Sequence, residues 1–178
     1  MSSESASAAD VTVRPVREDE WDRVAWLWQD FRHDLGTVVN GYPYADGRYR
    51  HTALDRFPYA DGAGYLAWSP HPNTGEDAPV AFALVTGVQA QRAGGRCGML
   101  GFFVVPAARR SGLGRRLARE VIGRHPGPWE IAFQHDNVGA GHFWRAVARD
   151  LWGDTWRETA EVGKPDAPPD HWIRNLGR

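Results

Sequence analysis

Phe102-Phe103-Val104-Val105-Pro106-Ala107-Ala108-Arg109-Arg110-Ser111-Gly112-Leu113-Gly114-Arg115-Arg116-Leu117-Ala118 is the stretch on which the reading turns. Four apolar residues read as the end of a buried strand, and Pro106 stops it because it has no N–H for a sheet ladder. A basic loop with two glycines follows and opens directly into a helix whose Leu113, Leu117 and Val121 recur at i, i+4 and i+8. Amides at a helix N-terminus lack intrahelical partners, and the helix dipole favours negative charge there. Gly112 and Gly114 leave the backbone open to a phosphate, and Arg109, Arg110 and Arg115 add charge-assisted donors. Strand, basic glycine loop and helix together make a seat for a diphosphate. The spacing is neither the phosphate loop Gly-x4-Gly-Lys-Ser/Thr nor the dinucleotide fingerprint Gly-x-Gly-x-x-Gly. Taken alone, those three residue types are equally a surface turn beside a solvated arginine face.

Outward from that core the chain alternates strands and helices. Val11 to Pro15 reads as a first strand, and Trp21, Val24, Ala25, Trp28, Phe31 and Leu35 mark an amphipathic helix ending at Gly36. A loop rich in Tyr, Gly and Pro runs from Thr37 to Gly64, with a short helix expected around Arg48 to Arg56. Strands are expected at Gly64–Trp68, Pro79–Val88 and Cys97–Val105, then the helix from Ser111 to Arg124, and a strand at Trp129–Gln134. A helix from Val138 to Asp150 carries Phe143, Val147 and Leu151 on one stripe, and two closing strands follow at Trp156–Val162 and Trp172–Leu176. Hairpins mixed with strand–helix units imply a mixed sheet.

The whole chain, 178 residues, fits one domain with a substantial core. Residues 1–10, Ser/Ala-rich and acidic, read as a disordered tail, and residues 11–178 as the domain. With 21 basic against 22 acidic residues, bulk attraction to nucleic acid or an anionic membrane is not expected. A lone cysteine, Cys97, excludes an internal disulfide and a Cys-rich zinc site, and no apolar run approaches the ~18–20 residues of a membrane span. A cytoplasmic protein without a metal centre is the expectation.

The arginine-glycine stretch resembles the first acetyl-CoA motif of the GCN5-related N-acetyltransferase (GNAT) superfamily, Gln/Arg-x-x-Gly-x-Gly/Ala. Arg109-Arg110-Ser111-Gly112-Leu113-Gly114 matches it at every position. Asn137, Ala140 and Phe143-Trp144 resemble the second motif, Asn-x-x-Ala-x-x-Phe/Leu-Tyr/Trp, and His33-Asp34-Leu35 followed by a Tyr-rich stretch, strengthened by Trp-Glu-Ile and Phe-Trp-Arg, is similar to a bacterial branch of these enzymes. The resemblance covers about Val11 to Leu151. It implies an α/β (α+β) fold with a mixed, mostly antiparallel central sheet flanked by helices, and acetyl-CoA (coenzyme A) as cosubstrate. Val104 and Val105 would then meet pantetheine through backbone groups. Arg109, Arg110, Ser111, Gly112, Leu113, Gly114 and Arg115 would hold the diphosphate, Asn137 would shape the pantetheine arm, and Phe143 and Trp144 would wall the channel. Phe143 is equally a core residue, since it lies on the apolar stripe.

Two proton carriers common in the superfamily are absent. Gly101 stands where a strand glutamate is usual, and Trp144 where a helix tyrosine protonates the thiolate. His135, beside Asp136 at the end of its strand, is the candidate catalytic base, with Asp136 also a candidate cap for the next helix. Asp30, Asp34, Tyr42 and Tyr44 are candidates for a cationic acceptor, because carboxylates among aromatics suit an ammonium; a solvated, aromatically anchored loop explains them as well. The expected activity is acetyl transfer to a small-molecule amine in a ternary complex. A protein lysine or N-terminal acceptor is the alternative, as is an inactive CoA-binding sensor. Neither nucleic acid nor membrane is expected as a partner, and a homodimer stays open.

Overall fold

The computed structural model describes residues 11–39, 41–57, 61–163 and 169–175. Seven strands form one sheet in the order β1-β2-β3-β4-β5-β7-β6: β1 is Thr12–Pro15, β2 Gly62–Pro70, β3 Asp77–Thr86, β4 Cys97–Val104, β5 Trp129–Gln134, β6 Trp156–Glu161 and β7 Asp170–Asn175. Four helices, α1 (Trp21–Val39), α2 (Val88–Arg92), α3 (Leu113–Arg124) and α4 (Val138–Trp152), complete the domain. All strand pairs are antiparallel except β4 with β5. The mixed, mostly antiparallel sheet is as expected from the sequence.

Strand alternation sorts the core onto two faces. Ala81, Ala83 and Val85 of β3, with Tyr65 and Ala67 of β2, join Leu117, Val121, Trp144 and Val147 from α3 and α4. Phe82 and Leu84 of β3, with Leu66 and Trp68 of β2 and Phe103 of β4, join Val24, Leu27 and Trp28 of α1. On β2 and β3 the first face carries mostly alanine and the second bulky side chains. The N-terminus of α1 is pinned to β1 by the buried Glu20 carboxylate, which accepts two bonds from Arg14 at 2.6 and 2.7 Å and one from the Arg17 N–H at 3.0 Å.

Two irregularities shape the centre of the sheet. Leu84 lies opposite Gly101 while Val85 lies opposite Met99, so Leu100 is the extra residue of a bulge in β4. The parallel pair of β4 and β5 joins only Cys97 to Trp129 and Gly98 to Glu130. Beyond those pairs, β4 has no strand partner on its β5 side among the described residues.

Three sequence expectations change. The first helix continues past Gly36 to Val39, and the Gly41 N–H closes on the Gly36 carbonyl at 3.1 Å. No helix spans Arg48 to Arg56. A single 3-10 turn, Leu54–Arg56, is present, because α1 takes up the backbone groups of Tyr49 and Arg50 that a helix would use: Trp28 Nε1 donates to the Arg50 carbonyl (3.1 Å), and the Gln29 amide donates to the Tyr49 carbonyl and accepts its N–H. Helix α2 was not anticipated. The Asp61 carboxylate caps it by accepting the N–H groups of Gln89 and Ala90. Expected residues 1–10 and Leu176 lie outside the described residues.

Candidate active site

Where β4 ends and α3 begins, the backbone turns twice through positive φ, at Arg110 (64°) and at Gly112 (87°). For Gly112 this conformation is free of Cβ strain. These turns leave the N–H groups of Arg110, Ser111, Gly112, Gly114 and Arg115 without a protein acceptor among the described residues. Five unpaired donors around one helix N-terminus form a concave anion seat. Space above Gly112 is open, and a Cβ on Gly114 would lie 3.2 Å from the Phe143 ring, so the second glycine lets α3 sit close to α4.

This seat forms one end of a cavity of about 870 Å³. Phe102, Phe103 and Val104 of β4 form its floor, and Phe31, Asp34, Leu35, Thr37 and Val38 of α1 form one wall. Arg109, Arg110, Gly112, Gly114 and Arg115 contribute the loop, and Asn137, Gly139, Ala140, Phe143 and Trp144 the opposite wall. Phe102 packs on Phe143 and Trp144 with ring centroids 5.3 and 5.0 Å away. Asn137 caps α4, accepting the Ala140 N–H at 3.1 Å, and its NH2 has no acceptor among the described residues. The cap of α4 is therefore Asn137 and not Asp136.

The charges are unequal: three arginines against one carboxylate, Asp34. Arg109 does not extend toward the loop amides. Its Nε donates to the Val104 carbonyl at 2.8 Å, a terminal nitrogen donates to the Asp34 carboxylate, and the guanidinium lies 5.4 Å from the Phe103 ring centroid. Arg115 lies 3.7 Å from Asp150.

Other residues singled out from sequence lie outside the cavity lining. Val105 spends its N–H on the Val80 carbonyl and its own carbonyl on Ala108, so its backbone polar groups are already bonded. The Ser111 hydroxyl donates to the Ala108 carbonyl and braces the turn, and the Leu113 side chain is buried in the α3 core. His135 is drawn to the far side of β5: its Nδ1 is 3.0 Å from His171 Nε2, the two rings stack, and His171 is bonded in turn to Glu158. Asp30 is exposed one turn before Asp34 on α1, Tyr42 is 81% exposed, and Tyr44 stacks under Arg50 at 4.2 Å. Of the acceptor candidates only Asp34 lines the cavity. Sequence reasoning overlooked Thr37 and Val38 because it ended α1 too early. Phe31 and Leu35 were visible as helix-stripe residues but not as cavity wall.

The site explains the missing glutamate. A Cβ at Gly101 would meet Trp28 and Phe82, each at 3.2 Å, so this position faces the apolar cluster under α1. Cys97 lies at the β4–β5 junction, fully buried, and burial pushes its thiol up to about 11. It supplies no thiolate for an acyl-enzyme. Among the described residues no group of His, Cys, Asp or Glu is arranged to hold a metal ion, and no helix is long and apolar enough to cross a membrane.

A family model described as Acetyltransferase (GNAT) family matches residues 20–148. Among solved structures, the spermidine N-acetyltransferase of Vibrio cholerae in complex with CoA and spermine superposes with a TM-score of 0.63 at 8% identity, covering 95% of this chain and 96% of that one. The ribosomal-protein-S18-alanine N-acetyltransferase of Escherichia coli gives 0.57 at 14% identity, with 94% and 93% covered. A GNAT-family acetyltransferase from Staphylococcus aureus gives 0.58 at 12% identity, with 93% and 99% covered. No curated protein matches the sequence significantly. The match over residues 20–148, with the fold shared along nearly the full length of those three structures, shows that this chain belongs to the acetyltransferase (GNAT) family, whose enzymes carry an acetyl group from acetyl-CoA to an amine.

Proposed function

We propose that the protein acetylates the primary amine of a small molecule, by direct transfer from acetyl-CoA in a ternary complex, as a cytoplasmic enzyme. The observation that carries this reading is the shape of the cavity. Beside the anion seat it continues between an apolar α1 wall (Phe31, Leu35, Val38) and Phe103, and the Asp34–Arg109 pair crosses it. This half-open cleft, with one carboxylate beside apolar side chains, suits a compact amine that carries one ammonium.

The residues present fit the donor molecule. Unpaired amides at Arg110 to Arg115 and the Arg110 and Arg115 guanidinium groups suit the diphosphate, and the unpaired edge of β4 beyond Gly98 suits the amides of the pantetheine arm. An N–H on that edge polarises the thioester carbonyl. The amine attacks the carbonyl carbon as a neutral nucleophile: its N–C bond forms and the C–S bond breaks. The first proton of the ammonium leaves through water, and the second protonates the departing thiolate. With Gly101 in place of a glutamate and no histidine in the lining, water is the carrier.

A second reading is favoured by Gly101 and Trp144 together: a CoA-binding sensor that does not turn over. Thiol release from acetyl-CoA, measured across small primary amines and peptide acceptors beside calorimetric titration of CoA, separates the readings. Turnover with small amines and none with peptides is expected. CoA binding without turnover on any acceptor identifies the sensor, and peptide turnover overturns the small-molecule reading.

A further inference from the structure

We propose that Arg109 is shared between two partners and that this sharing couples the two substrates: Asp34 and the diphosphate compete for its guanidinium, and the Asp34 carboxylate that the diphosphate frees receives the acceptor's ammonium. The inference rests on the acetyltransferase reading above and names the order of binding and the acceptor class.

Arg109 occupies the first position of the diphosphate loop, yet its guanidinium faces the α1 wall, bonded to Asp34 and to the Val104 carbonyl. Both partners of the ion pair are about two-fifths exposed, 43% and 41%, so the pair is of the weak, solvent-screened kind. A diphosphate offers a guanidinium two charged acceptors in fork geometry, beside loop amides that already attract them. Arg109 is one side-chain rotation from that loop, since its own backbone begins it. Once it turns, Asp34 is the single carboxylate in a wall of Phe31, Leu35, Thr37 and Val38, and its carboxylate has no other protein partner among the described residues. A charge unpaired against an apolar wall is a site for an ammonium on an apolar body. A polyamine is disfavoured, because its second ammonium finds no second carboxylate in the lining.

Linkage makes the coupling reciprocal: what Asp34 withholds from the diphosphate, CoA returns as amine affinity. Calorimetry with CoA and with pantetheine, which lacks the diphosphate, on wild type, Asp34→Asn and Arg109→Gln tests the first half. Asp34→Asn should bind CoA roughly two- to fivefold more tightly, the range an exposed ion pair supplies, with pantetheine unchanged. Arg109→Gln should weaken CoA alone, and adding Asp34→Asn to it should change nothing further. Weaker CoA binding by Asp34→Asn, or an equal change for pantetheine, overturns the sharing and makes Asp34 a brace for Arg109. For the second half, initial rates with 2-phenylethylamine should show KM rising about tenfold or more in Asp34→Asn with kcat held within a fewfold. An unchanged KM, or a lower wild-type KM for spermidine than for 2-phenylethylamine, overturns the acceptor site. If neither amine is acetylated the activity reading fails, while the CoA and pantetheine titrations still decide whether Arg109 is shared.

Discussion

Placing a glutamate at position 101, where the resemblance to the acetyltransferases would put a base, should destabilise this enzyme before it improves it. Gly101 is buried in β4 opposite Leu84, and the direction of its absent Cβ is filled by Trp28 Cζ3 and Phe82 Cε2 at 3.2 Å. Gly101→Ala forces those rings to give by a few tenths of an ångström and should cost about 1 kcal/mol. Gly101→Glu adds further overpacking, about 1–3 kcal/mol, and a carboxyl group with no donor among Trp28, Phe82 and Leu84, about 1–3 kcal/mol more. The total of roughly 3–7 kcal/mol corresponds to a Tm drop of about 6–28 °C for a domain of this size. Burial raises the folded-state pKa of the new glutamate above its unfolded value of about 4.3, so its penalty grows as pH rises above that value. Denaturant melts of wild type, Gly101→Ala and Gly101→Glu at pH 4.5 and pH 8 measure all three quantities. A Gly101→Glu protein with wild-type stability at pH 8 and a raised kcat would refute the reasoning, since the position would then be open to the cavity and not to the α1 cluster.

Three further outcomes follow from residues already placed. Glu20→Gln should cost about 2–4 kcal/mol in a urea melt by stripping Arg14 of its buried partner. Because its two arginines hold the Glu20 carboxyl down at about 2, the stability it supplies is present above pH 4.5 and is lost as pH falls from there toward 2. The mutant should lose less than wild type over that window. Gly112→Asp should weaken CoA binding about 100-fold or more by putting a carboxylate and a strained positive φ into the anion seat, with Gly112→Ala, which carries the strain alone, falling between. Calorimetry that finds equal affinities rejects the seat. His135→Ala should lower kcat less than tenfold and leave the rise of rate with pH intact, because the imidazole is paired with His171 outside the cavity. A loss of several orders of magnitude would make it a base after all.

The elements that sequence reveals here are those whose signal is local. β3 reads as a strand because Val80 to Thr86 is almost wholly apolar and serves both core faces, and α3 because its apolar stripe begins where the glycine loop ends. The anion seat is legible for the same reason: its donors are neighbours in the chain. What stayed hidden is set by partners far along the sequence. Tyr49 and Arg50 are not helical because Gln29 and Trp28, about twenty residues earlier, satisfy their backbone groups. α2 exists through Asp61, and His135 leaves the site through His171, an adjacent-strand neighbour 36 residues away. Charge alone could not separate Asp34 from Asp30. Both are exposed and lie one helical turn apart on the same side of α1, so position along the axis alone puts Asp34, and not Asp30, in the cavity lining.

The seam of two residue pairs between β4 and β5 has a mechanical consequence. Strands β1 to β4 and strands β5 to β7 are two leaves of one sheet, joined along the sheet by little more than Cys97 to Trp129 and Gly98 to Glu130. A peptide-like arm lying in the gap works as mortar between the leaves. Ligand binding should therefore slow hydrogen exchange at backbone amides across both leaves, far from any atom it touches, and raise the midpoint of thermal unfolding in proportion to the logarithm of its concentration. On that account the enzyme's resistance to unfolding tracks the supply of its own acyl donor.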